Sequence, residues 1–378
     1  MTYLLTEHSV TALDVVHHAD ALAWLRGAPS DWIHCAVTSP PYFQQRDYGV
    51  EGQIGLESTP DAYVTRLVTV FRELRRVLRP DGTLWLNIAD SYLPGKQLAG
   101  VPWRVALALQ ADGWILRSDC IWHKPNPLPS SVTDRPTVAH EYLFLLARSE
   151  GYYYDQVAAA EPSIWQPGMS EDKPRGSFNG KYDNADGLQG SFRAIRATRN
   201  KRSVWTVPTS PSALQHFAMM PRKLAEQMLL ASCPARVCAA CGAPYKRVVQ
   251  KPDMSERPTR SNGAKTSVEY ELSKGWGDRP KSAGQAYQEW RNANPDVTLG
   301  FEPSCSCAAD VHPGIVIDLF AGTGTTLLEA QKLGFHYVGI DLCAANVELA
   351  RTRLRYRGDD RRMVREQEAG VEQIALFG

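Results

Sequence analysis

The stretch Asp318–Asp341, DLFAGTGTTLLEAQKLGFHYVGID, decides the fold. The apolar run Gly314-Ile315-Val316-Ile317 leads into it as a buried strand ending at Asp318-Leu319-Phe320. The chain then turns on Gly322 and Gly324, follows a helical pattern from about Thr325 to Leu333, and returns as a strand from Phe335 to Ile340. Glycines at such a turn let the backbone come close to a ligand at the helix N-terminus. Asp341, at the tip of the second strand, is placed to accept hydrogen bonds from ribose hydroxyls. A dinucleotide fingerprint carries a third glycine at position 327, where this chain has Leu327. No pyrophosphate cradle is therefore implied, and a nucleoside without phosphates fits better.

Outward from this unit, residues 9–150 alternate between strand-like and helix-like segments. Ile33–Val37 reads as a buried strand. Asp61–Leu78 reads as a helix, with Tyr63, Leu67, Val70, Phe71, Leu74 and Leu78 at spacings of three and four. Arg79-Pro80-Asp81-Gly82 marks a turn, followed by a strand over Thr83–Ile88. A helix over Trp103–Ala111 and strands over Ile115–Trp122 and Glu141–Leu146 complete an α/β layered pattern. Periodicity fades from Gly151 to about Trp205, resumes as a helix over Pro221–Leu230, and fades again from Pro252 to about Asn294. The 22% charged content and net charge of +1 describe an ordinary globular chain, which neither requires nor excludes a locally basic nucleic-acid face. No apolar run reaches the length of a membrane span and the N-terminus lacks a signal-peptide pattern, so a cytoplasmic protein is expected.

The second informative stretch is Ala36–Phe43, AVTSPPYF, where a strand ends in a hydroxyl, two prolines and an aromatic. Two prolines cannot continue a helix or a central strand, because each lacks an N–H and fixes φ. Such a corner suits a reaction at an exocyclic amino group of a nucleobase, whose lone pair is conjugated into the ring and is a poor nucleophile. Ser39 can offer a hydroxyl oxygen and Pro40 a backbone carbonyl to the amine N–H groups, favouring a tetrahedral nitrogen. Pro41 stiffens the corner. Tyr42 can stack on an extruded base, worth about 1–3 kcal/mol, against a flipping cost of a few kcal/mol.

Ser39-Pro40-Pro41-Tyr42 resembles the tetrad of DNA amino-methyltransferases, and Phe320-Ala321-Gly322-Thr323-Gly324 resembles their S-adenosylmethionine loop. The tetrad precedes the loop, as in the circularly permuted β class. Leu84–Tyr92 (LWLNIADSY), Ile121–Ser131 (IWHKPNPLPSS), His140–Leu146 (HEYLFLL) and His216–Leu229 (HFAMMPRKLAEQML) are also similar to family segments, in the same order. In isolation a Ser-Pro-Pro-Tyr stretch is a surface turn; the ordered set carries the resemblance. Two departures are visible. Ala89 stands where relatives often have glycine, and Leu319 where they often have proline.

The resemblance implies a Rossmann-like S-adenosylmethionine-dependent methyltransferase sheet. It assigns the cofactor to Asp318, Phe320, Gly322, Gly324, Thr325 and Asp341, with His216 and Pro221 in the segment that closes over its methionine end. It implies Ser39, Pro40, Pro41 and Tyr42 as the catalytic corner, and double-stranded DNA as the partner in a restriction-modification system. A cognate restriction endonuclease and a homodimeric state are further expectations of the family. A serine tetrad is associated mostly with cytosine N4, and the absence of any Pro-Cys dipeptide argues against cytosine C5 chemistry. N4-cytosine methylation is therefore expected. The competing readings are adenine N6, an RNA or protein-glutamine substrate, and a zinc-containing DNA-binding protein with an inactive methyltransferase core.

The organisation expected is a catalytic half over 1–150, a target-recognition region over 151–207, a cofactor half over 208–233 and 313–360, an insertion over 234–312 and a tail over 361–378. The recognition region carries Arg193, Arg196, Arg199, Lys201 and Arg202, suited to phosphates and guanine edges. Trp122 and Lys124 are further candidates for contact with the base or its phosphates. Cys35, Cys120 and Cys343 read as small core residues. Cys238-x-x-Cys241 and Cys305-x-Cys307 bracket the insertion and suit a closed tetrahedral zinc site, with Cys233 as a substitute ligand.

Overall fold

The computed structural model describes residues 11–162, 198–209, 219–257, 290 and 293–366. The chain divides into two compact units. The first comprises Met1–Ala159, Arg202–Tyr245 and Pro303–Gly378, and the second Ala160–Lys201 and Lys246–Glu302.

The first unit is built on one eight-stranded sheet. Its strands are β1 (Val15–His18), β2 (Ile33–Thr38), β3 (Leu78–Ile88), β4 (Ile115–His123), β5 (His140–Ala147), β6 (Val204–Thr206), β7 (Ile315–Asp318) and β8 (His336–Asp341). Their spatial order is β1-β8-β7-β2-β3-β5-β4-β6. Only β5 runs against the others. Along β2, Ala36 lies in one apolar core and Cys35 and Val37 in the other, by strand alternation, while Ile33, before the register irregularity, joins the core of Ala36. Helices α1 (Ala21–Gly27), α2 (Pro60–Val77) and α3 (Val101–Ala111) cover the first face. Helices α4 (Arg222–Ser232), α5 (Thr325–Leu333) and α6 (Ala344–Arg355) cover the second. The result is the three-layer α/β sandwich that the sequence pattern implies.

Local chemistry explains the boundaries. In α2, Thr59 caps the N-terminus through its side chain on Ala62 N–H, and Pro60 opens the first turn. Tyr63, Leu67, Val70, Phe71 and Leu74 then form its buried stripe. Asp20 caps α1 and Asp90 takes the N–H groups of Gly100 and Val101 at the start of α3. The expected turn at Arg79–Gly82 is instead an outward bulge within β3: the register with β2 jumps from Ile33↔Leu78 to Cys35↔Thr83. An Arg79–Asp81 ion pair spans it. Cys35 and Cys120 are core residues as expected, but Cys343 is half-exposed, because it forms the N-cap of α6 immediately beyond β8.

Leu327, standing where a dinucleotide-binding turn has glycine, finds its room on the neighbouring strand. A Cβ on Gly339 of β8 would come within 2.3 Å of Leu327 Cδ1, with Val16 and Ala321 also close. The close helix–strand approach is thus supplied by Gly339 rather than by residue 327.

In the second unit, Lys246–Gln250 pairs antiparallel with Val297–Glu302, and Arg247 lies over the Phe301 ring at 4.7 Å. Glu161–Pro162 pairs with Thr198–Arg199. No helix among the described residues is long and apolar enough to cross a membrane.

Two outcomes follow from this packing. Gly339→Ala should cost about 1–3 kcal/mol by overpacking, and Leu327→Ala in the same chain should recover part of that loss in thermal unfolding. The second concerns His34, buried on β2. Its Nε2–H donates to Gly242 O at 2.9 Å and its Nδ1 accepts from Ile315 N–H at 3.1 Å, so the neutral ring is required. Burial lowers its pKa from 6.5 to about 4. The folded value lies below the unfolded one, so this stabilisation is complete above about pH 6.5 and is lost as pH falls towards 4. Full loss amounts to about 3 kcal/mol. Urea unfolding should show the advantage of the natural chain over His34→Gln shrinking between pH 7.5 and 4.5; a gap independent of pH would contradict this.

Candidate active site

The two informative stretches meet at neighbouring strand ends. β2 and β7 pair in parallel, with Cys35 opposite Val316 and Ala36 opposite Ile317. Beyond this pairing, Thr38 Oγ1–H donates to Asp318 Oδ1 at 2.7 Å, a buried bond between residues 280 positions apart. Asp318 also accepts from Phe320 N–H at 3.1 Å. Burial lifts the Asp318 carboxyl to about 6; Thr38, Thr326 and Phe320 N–H oppose the rise and the charge of Asp341 adds to it.

The proline corner is fixed from below. Pro40 is buried, and Pro41 O accepts from Tyr63 O–H at 2.8 Å. Gly55, at φ +109°, passes so close that a Cβ would sit 3.1 Å from Tyr42 O. Ser91 Oγ–H donates to Phe43 O at 2.6 Å. Ser39 and Tyr42 remain half-exposed at the tip.

A directional hydrogen-bond chain runs from this tip into the sheet. Ser39 Oγ–H donates to the Tyr42 hydroxyl at 3.1 Å, and Tyr42 O–H donates to Glu141 Oε2 at 2.6 Å. Asn87 Nδ2 donates to both the Tyr42 hydroxyl (2.5 Å) and Glu141 Oε2 (2.6 Å). Lys124 Nζ donates to Glu141 Oε1 and stands 4.4 Å from the Trp122 ring centroid. Burial, then the Glu141 charge, push the Tyr42 phenol well above its ordinary value, so it stays protonated. Asn87 Oδ1 is buried without a hydrogen-bond partner. Asn87 and Glu141 carry no assigned role in the sequence reading. Their signal was their place inside two family-like stretches, at the ends of β3 and β5 nearest the corner.

The glycine turn has the shape of a ligand cradle. Gly322 (φ +53°) has nothing within 4 Å of a hypothetical Cβ except Phe320 O at 4.0 Å, leaving open space over its backbone. Gly324 (φ +79°) lies so near α6 that a Cβ would be 3.0 Å from Ala350 Cβ. Asp341 Oδ2 accepts Gly322 N–H at 2.7 Å, and its Oδ1 takes Cys343 N–H and Asn346 Nδ2. Thr325 is buried in the first turn of α5, and Pro221 is buried at the N-cap of α4. Thr323 Oγ1 meets Met219 Sδ at 3.0 Å, so the His216–Leu229 segment reaches this turn near its start. Behind it, the buried Arg353 donates Nη1 to Thr323 O (2.7 Å) and Oγ1 (2.9 Å), while Nε and Nη2 grip Asp360.

Other expected residues are placed differently. Trp122 is 4% exposed and its indole N–H is spent on Val207 O at 2.7 Å, because its ring completes the core beside Trp205. It is a core residue rather than a nucleic-acid contact. Lys124 is half-buried beside Glu141. Arg199 pairs with Glu161 at 2.7 Å in the second unit, which also holds Lys201, whereas Arg202 is exposed in the first. Arg193, Arg196 and His216 lie outside the described residues.

The sulfur atoms of Cys238, Cys241, Cys305 and Cys307 all lie within 4.8 Å of one another. Crowding by neighbouring sulfurs pushes the Cys307 thiol up to about 12, whereas backbone N–H groups of Cys241 and Ala240 bring Cys238 down to about 7. Cys233 is not in the cluster; it is buried under Gly314.

The DNA methylase family N6_N4_Mtase matches this chain over residues 33–236 and 310–352. Type II methyltransferase M.Cfr9I of Citrobacter freundii is 43% identical over 241 residues, covering 56% of this chain and 70% of that protein. Type II methyltransferase M.SfiI of Streptomyces fimbriatus is 30% identical over 373 residues, covering 85% of this chain and 86% of that protein. Among solved structures, the PvuII DNA methyltransferase (cytosine-N4-specific) superposes with a TM-score of 0.51 at 15% identity over 92% of this chain and 89% of that one, a likeness of fold. The matched segments contain the corner, the glycine turn and the strands that join them, and by them the chain belongs to the N6/N4 DNA methylases, as a DNA amino-methyltransferase of the β class.

Proposed function

We propose that this chain transfers a methyl group from S-adenosylmethionine to the N4 amine of a cytosine flipped out of double-stranded DNA, as the modification enzyme of a Type II restriction-modification system. We propose further that the four-cysteine cluster takes a structural zinc. The observation that carries the first reading is the bond between Thr38 and Asp318, which puts the corner and the cofactor turn side by side. The open backbone at Gly322 and the acceptor Asp341 fit the cofactor, as does the buried Thr325 turn. When bound, S-adenosylmethionine supplies an electrophilic methyl on a sulfonium; the amine nitrogen takes it while the C–S electron pair stays on sulfur and one proton leaves to solvent.

The chain's own residues prepare the amine. Ser39 spends its hydroxyl proton on Tyr42, and Tyr42 spends its own on Glu141. The Ser39 oxygen therefore offers lone pairs to the amine N–H, and Pro40 O supplies a second acceptor. Drawing on both N–H groups favours a tetrahedral nitrogen with a free lone pair. The half-exposed Tyr42 ring provides a stacking surface for the extruded base, held by its bonds to Glu141 and Asn87. The serine tetrad favours cytosine N4 over adenine N6. Arg202, with Arg193, Arg196, Arg199 and Lys201, is assigned to DNA phosphates, and a homodimer and a cognate endonuclease belong to the same proposal.

Incubation with tritiated cofactor and mixed-sequence duplex DNA, followed by nucleoside chromatography, should place the label in N4-methylcytosine. Label in N6-methyladenine would move the substrate to adenine, and label in RNA or protein alone would remove DNA as substrate. Ser39→Ala should lower kcat by about 10²-fold, the scale of losing one aligned hydrogen-bonding group in a reacting site, with cofactor Kd changed less than threefold. Equal losses in both would make Ser39 a structural residue.

A further inference from the structure

We infer that the four-cysteine cluster is a zinc clasp that fastens the exit and return of the chain excursion to the foot of β2, the strand whose other end bears Ser39. The inference rests on the thiolate reading of the cluster and not on the methyl-transfer reading.

The cluster is built on one hydrogen-bonded turn, with the second cysteine pair tied to it. Val237-Cys238 pairs antiparallel with Val311-His312, which brings the chain before the first cysteine pair beside the chain after the second. The Cys238–Cys241 turn closes through Gly242 N–H on Cys238 O at 2.7 Å and Cys238 N–H on Ala243 O at 3.0 Å. Ser304 Oγ–H on Pro244 O at 2.7 Å ties the second pair to the first. Four sulfurs with no oxygen or nitrogen donor among them suit zinc in a closed tetrahedral site.

The same turn is bolted to the sheet. His34 of β2 donates Nε2–H to Gly242 O, and Arg79 in the β3 bulge donates Nη1–H to Cys241 O at 2.6 Å while its Nε and Nη2 hold Asp81. Gly242 is at φ +69°, and a Cβ there would come within 2.6 Å of the Arg79 guanidinium. The chain leaves the first unit after Tyr245 and re-enters it at Pro303, just beyond Cys241 and just before Cys305. Closing the four sulfurs on one ion therefore fixes both ends of the excursion against His34 and Arg79. The strand rise puts His34 roughly 16 Å from Ser39, so the ion has no direct part in methyl transfer.

Protein purified without chelator should hold one zinc per chain by inductively coupled plasma mass spectrometry and show no visible absorption. Titration of the thiols with a mercurial should release that zinc to a chromogenic chelator. Cys305→Ser with Cys307→Ser should reduce zinc content at least tenfold and lower the melting midpoint, with cofactor Kd changed less than threefold. If that variant does not fold, the mercurial release on the natural chain stands alone as the metal readout. Anchoring predicts coupling: removal of zinc should lower the midpoint of the natural chain more than that of Arg79→Ala. A metal-free chain, zinc retained by the double variant, or the absorption bands of iron would overturn the zinc assignment. Equal midpoint shifts with and without Arg79 would overturn the clasp. A chain that holds zinc but does not methylate DNA would leave the clasp intact and end the methyl-transfer reading instead.

Discussion

A hydroxyl and a carboxylate, Thr38 and Asp318, hold this molecule's chemistry together. Each is the last residue of a central strand, just past the positions where β2 and β7 pair through their backbones, so side chains close that seam. Their bond is buried, so it is shielded from water competition, and it ties Asp318, which also accepts from Phe320 N–H, to the end of β2. The residues on either side inherit their positions from it: Ser39 and the prolines on one strand, Phe320 and the glycine turn on the other. The sheet order explains why such distant segments can meet, since β2 and β7 are immediate neighbours. Chain order matters little to this arrangement, which is how a permuted sequence reaches the same juxtaposition.

Around that bond the structure uses two kinds of support. The corner is held by polar contacts to its backbone, from Tyr63 and Ser91, and by the close passage of Gly55. The glycine turn is held from behind by Arg353, a buried guanidinium whose charge is met by Asp360. In both places the groups facing the reaction space are left free by giving the fixing work to residues outside it. The polar chain from Ser39 through Tyr42 to Glu141 follows the same logic, because a carboxylate at its inner end sets the direction of every hydroxyl before it.

Much of this was legible in the sequence. The 3.6-residue stripe of α2, the glycine turn ahead of α5 and the acid closing β8 follow from periodicity and backbone sterics alone, and each recurs in the structure within a residue or two. The two cysteine pairs were legible from spacing, and they converge. What was not legible depended on long-range pairing. The bulge at Arg79–Gly82 looks like a turn because proline and glycine mark both, and only the register with β2 separates them. In sequence Trp122 reads equally as a base contact or a core aromatic, and Val207, which accepts its indole N–H from 85 positions away, decides for the core. Glu141 and Asn87 had no local signature, since a single polar residue at a strand end reads the same whether it meets solvent or a tyrosine.

The Arg353 buttress has a consequence for interpreting natural variation. Residues 353 and 360 lie on α6 and just beyond its end, and the main chain of the glycine turn leans on them. A lesion in this C-terminal stretch should masquerade as a defect in ligand uptake, and a survey that scored only surfaces lining the crevice would file it under the wrong cause.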